Sequence, residues 1–186
     1  MKTLKFIIIY LVKENNMDFK TVVKERYSCK KYSDKKVESE KLTEILEAGR
    51  LAPTAKNLQE QHIYVAQSEK ALAIIDEVTP CRYNASTVLV VAYDKTNVYT
   101  YPNSEKQSGA EDATIVATHM LLAAKNAGVE SCWINCFDPE ALKQKLSLPD
   151  NEEIVMLLDL GYPTESSMTS PNYGKRKDIS ETVSYI

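Results

Sequence analysis

From Ala110 to Ala127 the chain runs without a proline or glycine, and Ala113, Ala117, Met120, Leu121 and Ala124 fall on one helical stripe. Gly128 follows directly and is placed to end the helix as a left-handed cap. This is the longest helix the sequence encodes. Its small side chains let another element approach closely, so it reads as a central core or interface helix around which the remaining elements must fit.

The other elements are shorter and alternate in type. Helices are expected over 18–27, where Phe19, Val22, Val23 and Arg26 share a face, and over 39–52, stopped by Pro53 because the residue before proline disfavours helical backbone. A third covers Ala71 to Val78, and Asp138-Pro139-Glu140 supplies a cap, a first-turn proline and a favourable charge for a fourth. Strands are expected over 62–66, 87–93, 131–137 and 154–160, with a polar, turn-rich excursion over 94–109 and an apolar-anchored tail over 179–186. Strands interleaved with helices through connections of varied length imply an α/β or α+β fold with a mixed sheet. At 186 residues without internal repeats, a single domain over 17–186 is expected. Residues 1–16 read as an extension that packs as a strand or on a partner. Their apolar run, Leu4 to Val12, is too short to span a bilayer, lacks a small-residue cleavage site, and gives way to Met17-Asp18-Phe19, which looks like a natural start.

A net charge of −3 argues against a nucleic-acid partner, and no segment argues for a membrane. Cys29, Cys81, Cys132 and Cys136 have no metal-ligand spacing, and with only His62 and His119 to add imidazoles they read as free thiols of a reducing cytoplasm. Against this acidic background, Lys24, Arg26, Lys30 and Lys31 cluster around Ser28. Guanidinium, ammonium and hydroxyl donors around one loop are what a phosphate monoester requires.

Further segments carry candidate chemistry. Pro53-Thr54-Ala55-Lys56-Asn57-Leu58-Gln59 offers amides, a hydroxyl and carboxamides in a turn, suited to a heterocycle with alternating donors and acceptors. Gly128-Val129-Glu130-Ser131-Cys132-Trp133-Ile134-Asn135-Cys136 runs from a helix cap into a strand, and Lys175-Arg176-Lys177 is a basic triplet near the C-terminus. Taken singly, these are an ordinary capped turn, a core tryptophan and a solvated tail. In this order and spacing they resemble the nitroreductase family, from about Asp18 to Tyr185. The shared features are the basic segment Arg26-Tyr27-Ser28-Cys29-Lys30, a Pro-Ser-x-x-Asn-x-Gln-like turn, an alanine-rich helix leading into a Ser-Cys-Trp-Ile strand, and a C-terminal basic pair.

The resemblance implies an α+β fold with a central mixed, mostly antiparallel sheet flanked by helices, in an intertwined homodimer. It implies bound FMN, with NADH or NADPH as co-substrate and a nitroaromatic, quinone or similar conjugated electrophile as acceptor, reduced in ping-pong fashion. Arg26, Tyr27, Ser28 and Lys30 would meet the FMN phosphate and ribityl chain, and Arg176 with Lys175 would close on the phosphate. Pro53, Thr54, Ala55 and Asn57 would reach the partner subunit's flavin, while Trp133, Ile134, Asn135 and Cys136 would line the isoalloxazine with a backbone N–H near its N5. No catalytic side chain is implied, because the flavin itself accepts and donates hydride. Tyr27, Glu60-Gln61, Glu130 and Asn135-Cys136 depart from the family pattern, and these departures bear on the acceptor pocket more than on the phosphate. The alternatives are a non-enzymatic FMN-binding or redox-sensing protein and a relative with specialised flavin chemistry.

Overall fold

The computed structural model describes residues 17–167 and 169–186, so the extension expected over 1–16 lies outside the described residues. Along them run α1 (Phe19–Glu25), α2 (Ser39–Arg50), β1 (Gln61–Ala66), α3 (Glu69–Val78), β2 (Thr87–Asp94), α4 (Gly109–Asn126), β3 (Glu130–Ile134), α5 (Pro139–Leu146) and β4 (Glu152–Gly161). The strands form one sheet in the order β1-β2-β4-β3. Every neighbouring pair in it is antiparallel. The parallel character expected of a mixed sheet survives only as an isolated bridge between Ser28 and Ser131.

β2 and β4 are apolar on both faces because helices cover both. Leu89, Val91 and Tyr93 of β2 join Met156, Leu158 and Leu160 of β4 in a core shared with α2 and α4. Val88, Val90 and Ala92 join Ile154 and Leu157 on the opposite face, in a core with α3 and α5 side chains such as Ile75 and Leu142. The register shifts between Val91 and Ala92, where Met156 and Ile154 are the partners and Val155 is left over. This bulge keeps Ile154 on the α3–α5 side although the strand is one residue longer than its partner there.

The alanine stripe of α4 is used within the chain. Ala113, Ala117, Met120 and Ala124 are buried against α2 and the sheet. Gly49 of α2 permits the approach, since a Cβ there would sit 2.7 Å from Met120 Cγ. The stripe is therefore a core seam, and the outward face of α4 carries Thr114, Ile115, Thr118 and His119 instead. Gly128, at φ +70°, ends the helix in the left-handed conformation expected of it. β3 stops at Ile134, three residues short of the expected Phe137. The Cys136 carbonyl accepts from Thr79 Oγ1 at 2.6 Å, which draws the strand's continuation toward the loop after α3.

One core position is electrostatically costly. Asp159 of β4 is fully buried, and neither carboxylate oxygen has a hydrogen-bond partner among the described residues. Burial pushes its pKa from 3.8 up to about 9, against the pull of Arg82, so the side chain is a neutral acid at pH 7. Between those two values an unfolded chain gives up this proton while the fold retains it, so stability falls as pH rises. Asp159→Asn removes that dependence. In urea unfolding from pH 5 to pH 8, the variant should gain on wild type by up to about 1.4 kcal/mol per pH unit. A difference that does not change with pH would show Asp159 to be ionised in the fold.

Candidate functional site

Asp18 caps α1 by accepting from the amides of Lys20 and Thr21, and the helix ends at Glu25 with Arg26 already extended. The chain then runs beside β3, with the Cys29 amide donating to the Ser131 carbonyl at 3.0 Å and the Cys29 side chain buried. This contact fixes which residues of the basic segment can face outward. The C-terminal tail folds over the same place. The Tyr173 hydroxyl donates to the Lys24 carbonyl at 3.0 Å, and its ring meets Tyr27 edge-on at 6.0 Å. Between segment and tail lies a cleft of about 200 Å³ lined by Arg26, Tyr27, Ser28, Ser170, Asn172, Tyr173 and Arg176.

Among the described residues, no carboxylate pairs with Arg26, Lys30 or Arg176. Two guanidinium groups without an internal counter-ion, with hydroxyls and a carboxamide beside them, are a donor set that fits a phosphate monoester. Tyr27, whose pKa is pushed up to about 12 chiefly by burial, stays a neutral donor. Lys30 and Lys175 are not part of the lining. The Lys30 ammonium lies 5.9 Å above the Tyr83 ring, and Lys175 donates to Asn172 Oδ1 at 3.3 Å.

The turn after α2 is held in unusual backbone. Lys56, Asn57 and Gln59 all have positive φ (53°, 56° and 55°), a conformation that costs of order 1 kcal/mol or more per non-glycine residue and persists only when surroundings enforce it. The enforcing contacts are visible: Thr54 Oγ1 accepts from the Gln59 amide at 3.0 Å, and Asp112 Oδ1 on α4 accepts from the Ala55 amide at 3.0 Å. Pro53 and Asn57 are exposed, and Thr54 and Ala55 are half-buried. The turn enters β1 at one sheet edge, while Arg26 to Ser28 lie beside β3 at the other. Three strand spacings, roughly 14 Å, separate the edges, so the chain does not itself bring these two candidate regions together.

At the end of β3, Ile134 is buried in the α3–α5 core, so its main chain rather than its side chain is what it can offer a ligand. Trp133 is half-buried and its indole N–H donates to Asn135 Oδ1 at 2.9 Å. Asn135 and Cys136 are exposed. The departures from the family pattern also find roles. Glu130 pairs with Lys125 at 2.8 Å in a largely enclosed contact, and Glu60 lies buried beside Asp112. His119 caps back onto the Ile115 carbonyl at 2.9 Å, and His62 meets Glu152 at 2.6 Å. Sequence reasoning missed Ser170, Asn172 and Tyr173. The turn-rich Ser170-Pro171-Asn172-Tyr173 ahead of the basic triplet was the available signal.

The Nitroreductase family model matches residues 23–83 and 80–162, and the chain belongs to the nitroreductase family. A nitroreductase family protein of Clostridium difficile 630 is 37% identical in its solved structure, with a TM-score of 0.85 over 91% of this chain and 98% of that one. A protein of Archaeoglobus fulgidus, provisionally named NADH dehydrogenase/NAD(P)H nitroreductase, is 31% identical over 148 residues, covering 75% of this chain and 82% of its own. A Bacteroides fragilis nitroreductase solved with bound FMN shares the fold at 23% identity, with a TM-score of 0.72 over 91% of this chain and 99% of that one.

Glu60 ties the strained turn to pH. Burial, then the adjacent Asp112 carboxyl, raises its pKa from 4.5 to about 7, so the Glu60 carboxyl holds a proton below neutrality. Because the folded value is the raised one, this support is complete below 4.5 and is lost as pH rises through about 7. Amide hydrogen exchange over 53–60, corrected for intrinsic rates, should then show falling protection from pH 6 to pH 8. Glu60→Gln, which cannot ionise, should keep protection level. The same decline in both proteins would remove Glu60 from the account.

Proposed function

We propose that the chain is an FMN-dependent oxidoreductase that takes hydride from NADH or NADPH and passes it, in ping-pong fashion, to a nitroaromatic, quinone or similar conjugated electrophile. The observation that carries this reading is the cleft in which Arg26, Ser28 and Arg176 converge with no carboxylate partner among the described residues. The B. fragilis neighbour, which holds FMN on the same fold, supports it.

In this reading the Arg26 and Arg176 forks neutralise the phosphate and Ser28 donates to it, while the tail residue Tyr173 holds Arg176 near its place. Lys30 and Lys175 act at longer range, adding positive potential rather than direct contacts. The end of β3 receives the ring system, with Ile134 contributing main chain, Trp133 one wall and the amides near Asn135 and Cys136 a donor. A fixed donor there stabilises negative charge where it develops and needs no reorganisation. Bound FMN supplies the hydride-accepting and hydride-donating chemistry, so no side chain is assigned a proton-transfer role.

The reading includes a homodimer. Pro53, Thr54, Ala55 and Asn57 sit at the sheet edge remote from the chain's own phosphate cleft, which suits them to a second subunit's flavin. The tail supports this, because Ile179, Val183, Tyr185 and Ile186 are apolar side chains that the other described residues leave exposed. No helix among the described residues is long and apolar enough to cross a membrane, and the four cysteines are free thiols, which fits a cytoplasmic protein.

Purified protein should be yellow, with one FMN released per chain and bleaching by NADH or NADPH under anaerobic conditions. Arg26→Ala should weaken FMN binding by on the order of tenfold or more, the scale of a lost charge-assisted contact. Lys31→Ala, at an exposed neighbouring cation, should change it little. Equal losses in a flavin-release titration would mean general charge, not the cleft, holds the cofactor.

Light scattering tests the assembly. Holo protein should run as a dimer, and removal of flavin should shift it toward monomer at low concentration, since a ligand held by both chains adds its binding energy to their association. A monomer that keeps its flavin would defeat the two-chain site.

A further inference from the structure

The cysteines fall into two classes. Cys29 and Cys132 are buried. The Cys132 thiol is also pushed up to about 12, first by burial and then by Asp159, which leaves it unreactive. Cys81 is half-buried and Cys136 exposed, and their main chains meet at Thr79 although they are 55 residues apart. Cys81 sits in the loop between α3 and β2, and Cys136 in the loop between β3 and α5. One hydroxyl ties the loops together. Thr79 Oγ1 donates to the Cys136 carbonyl at 2.6 Å and accepts from the Cys81 amide at 3.1 Å. The Cys81 amide and the Cys136 carbonyl thus meet on a single oxygen, which holds the two residues side by side.

We propose that Cys81 and Cys136 are a redox-active dithiol, with Cys81 the attacking and Cys136 the resolving thiol, which a low-molecular-weight disulfide oxidises to an intramolecular bridge. The surroundings favour Cys81 as nucleophile. The Tyr83 hydroxyl, the largest influence, holds its thiol below the ordinary range against the effect of burial, with Thr79, Cys136 and the Lys30 ammonium assisting. Tyr83 is itself fixed, at a φ of 52°, by donation from the Tyr32 amide to its carbonyl at 3.1 Å. Both cysteines lie in connections outside the strands, so closing the bridge breaks no ladder hydrogen bond.

The exchange balances without a further reagent. The Cys81 thiolate attacks one sulfur of RSSR, forming Cys81–S–S–R and releasing RS⁻. Cys136 gives up its proton and attacks the Cys81 sulfur, so the bond to R breaks and a second RS⁻ leaves. Two protein thiols lose two electrons in total, and one small disulfide becomes two thiols that take up the two protons. The proposal is independent of flavin binding, although Cys136 belongs to the segment assigned to the ring system.

Full-length protein, reduced and then freed of reductant, is incubated with oxidised glutathione, quenched with N-ethylmaleimide in acid and digested for mass spectrometry. The expected product is one link between the Cys81 and Cys136 peptides, with Cys29 and Cys132 alkylated. Cys136→Ser should halt the reaction at glutathione-bound Cys81. Cys81→Ser should slow glutathione addition to Cys136 several-fold relative to the addition at Cys81 in the first variant. Glutathione on both cysteines of wild type without a link, a link between two chains, or equal rates in the two variants would overturn the proposal.

Discussion

The pairing of β2 with β4 is the constraint to which everything else is fitted. Both strands are buried, with side chains alternating into two separate cores. Such a ladder is stable only if helices cover both faces, because an uncovered face would expose a row of Val, Leu and Ile side chains to water. The chain meets that requirement with α2 and α4 on one side and α3 and α5 on the other. Strands β1 and β3 then become the edges, and the candidate chemistry gathers where connections leave those edges. The Val155 bulge shows how tightly the demand is held: an extra residue is accommodated locally so that Ile154 keeps its side of the sheet.

The elements legible in the sequence were those written in local periodicity and local caps. The apolar run of β2, the Asp138-Pro139 start of α5 and the Gly128 stop of α4 all stand where residue patterns placed them. Features that depend on distant partners were not legible. The alanine stripe announced close approach but could not say to what, and the answer, Gly49 on α2 of the same chain, lies more than sixty residues earlier. Strand β3 looked as if it ran three residues further than it does, because Thr79, which captures the Cys136 carbonyl, is also remote in sequence.

The candidate site divides in the same way. Arg26, Ser28 and Arg176 could be singled out by type and order, and they line one cleft. Lys30 looked equivalent by charge and spacing, yet the bond from Cys29 to Ser131 sets the strand's facing and the Lys30 ammonium goes to Tyr83. The turn-rich sequence around Tyr173 could mark a loop but not its place, because that place is set by a hydrogen bond to Lys24, across 149 positions. Composition was a poor guide to local field: a chain of net charge −3 carries, among the described residues, guanidinium groups with no carboxylate partner at one place, a neutral buried Asp159 at another and a Glu60 that titrates near neutrality at a third.

The placement of those acids separates folding from function in a useful way. Asp159 lies in the interior of β4, paired with Cys132, and its proton bears first on the stability of the core. Glu60 lies at the junction of the strained turn with β1, facing the Asp112 that holds the Ala55 amide, so its proton bears on a segment whose backbone departs from ordinary conformation at three positions. Strain of that kind is retained only where surrounding contacts over-determine it. Here one such contact lies within the turn, from Thr54, and the other comes from α4, the helix whose inner stripe packs the core. Any movement of α4 against α2 would therefore reach the turn through Asp112, and the closeness of Met120 to Gly49 leaves little room for such movement. The rigidity of the core seam is thus the physical reason a turn on the surface can keep backbone that departs from ordinary conformation.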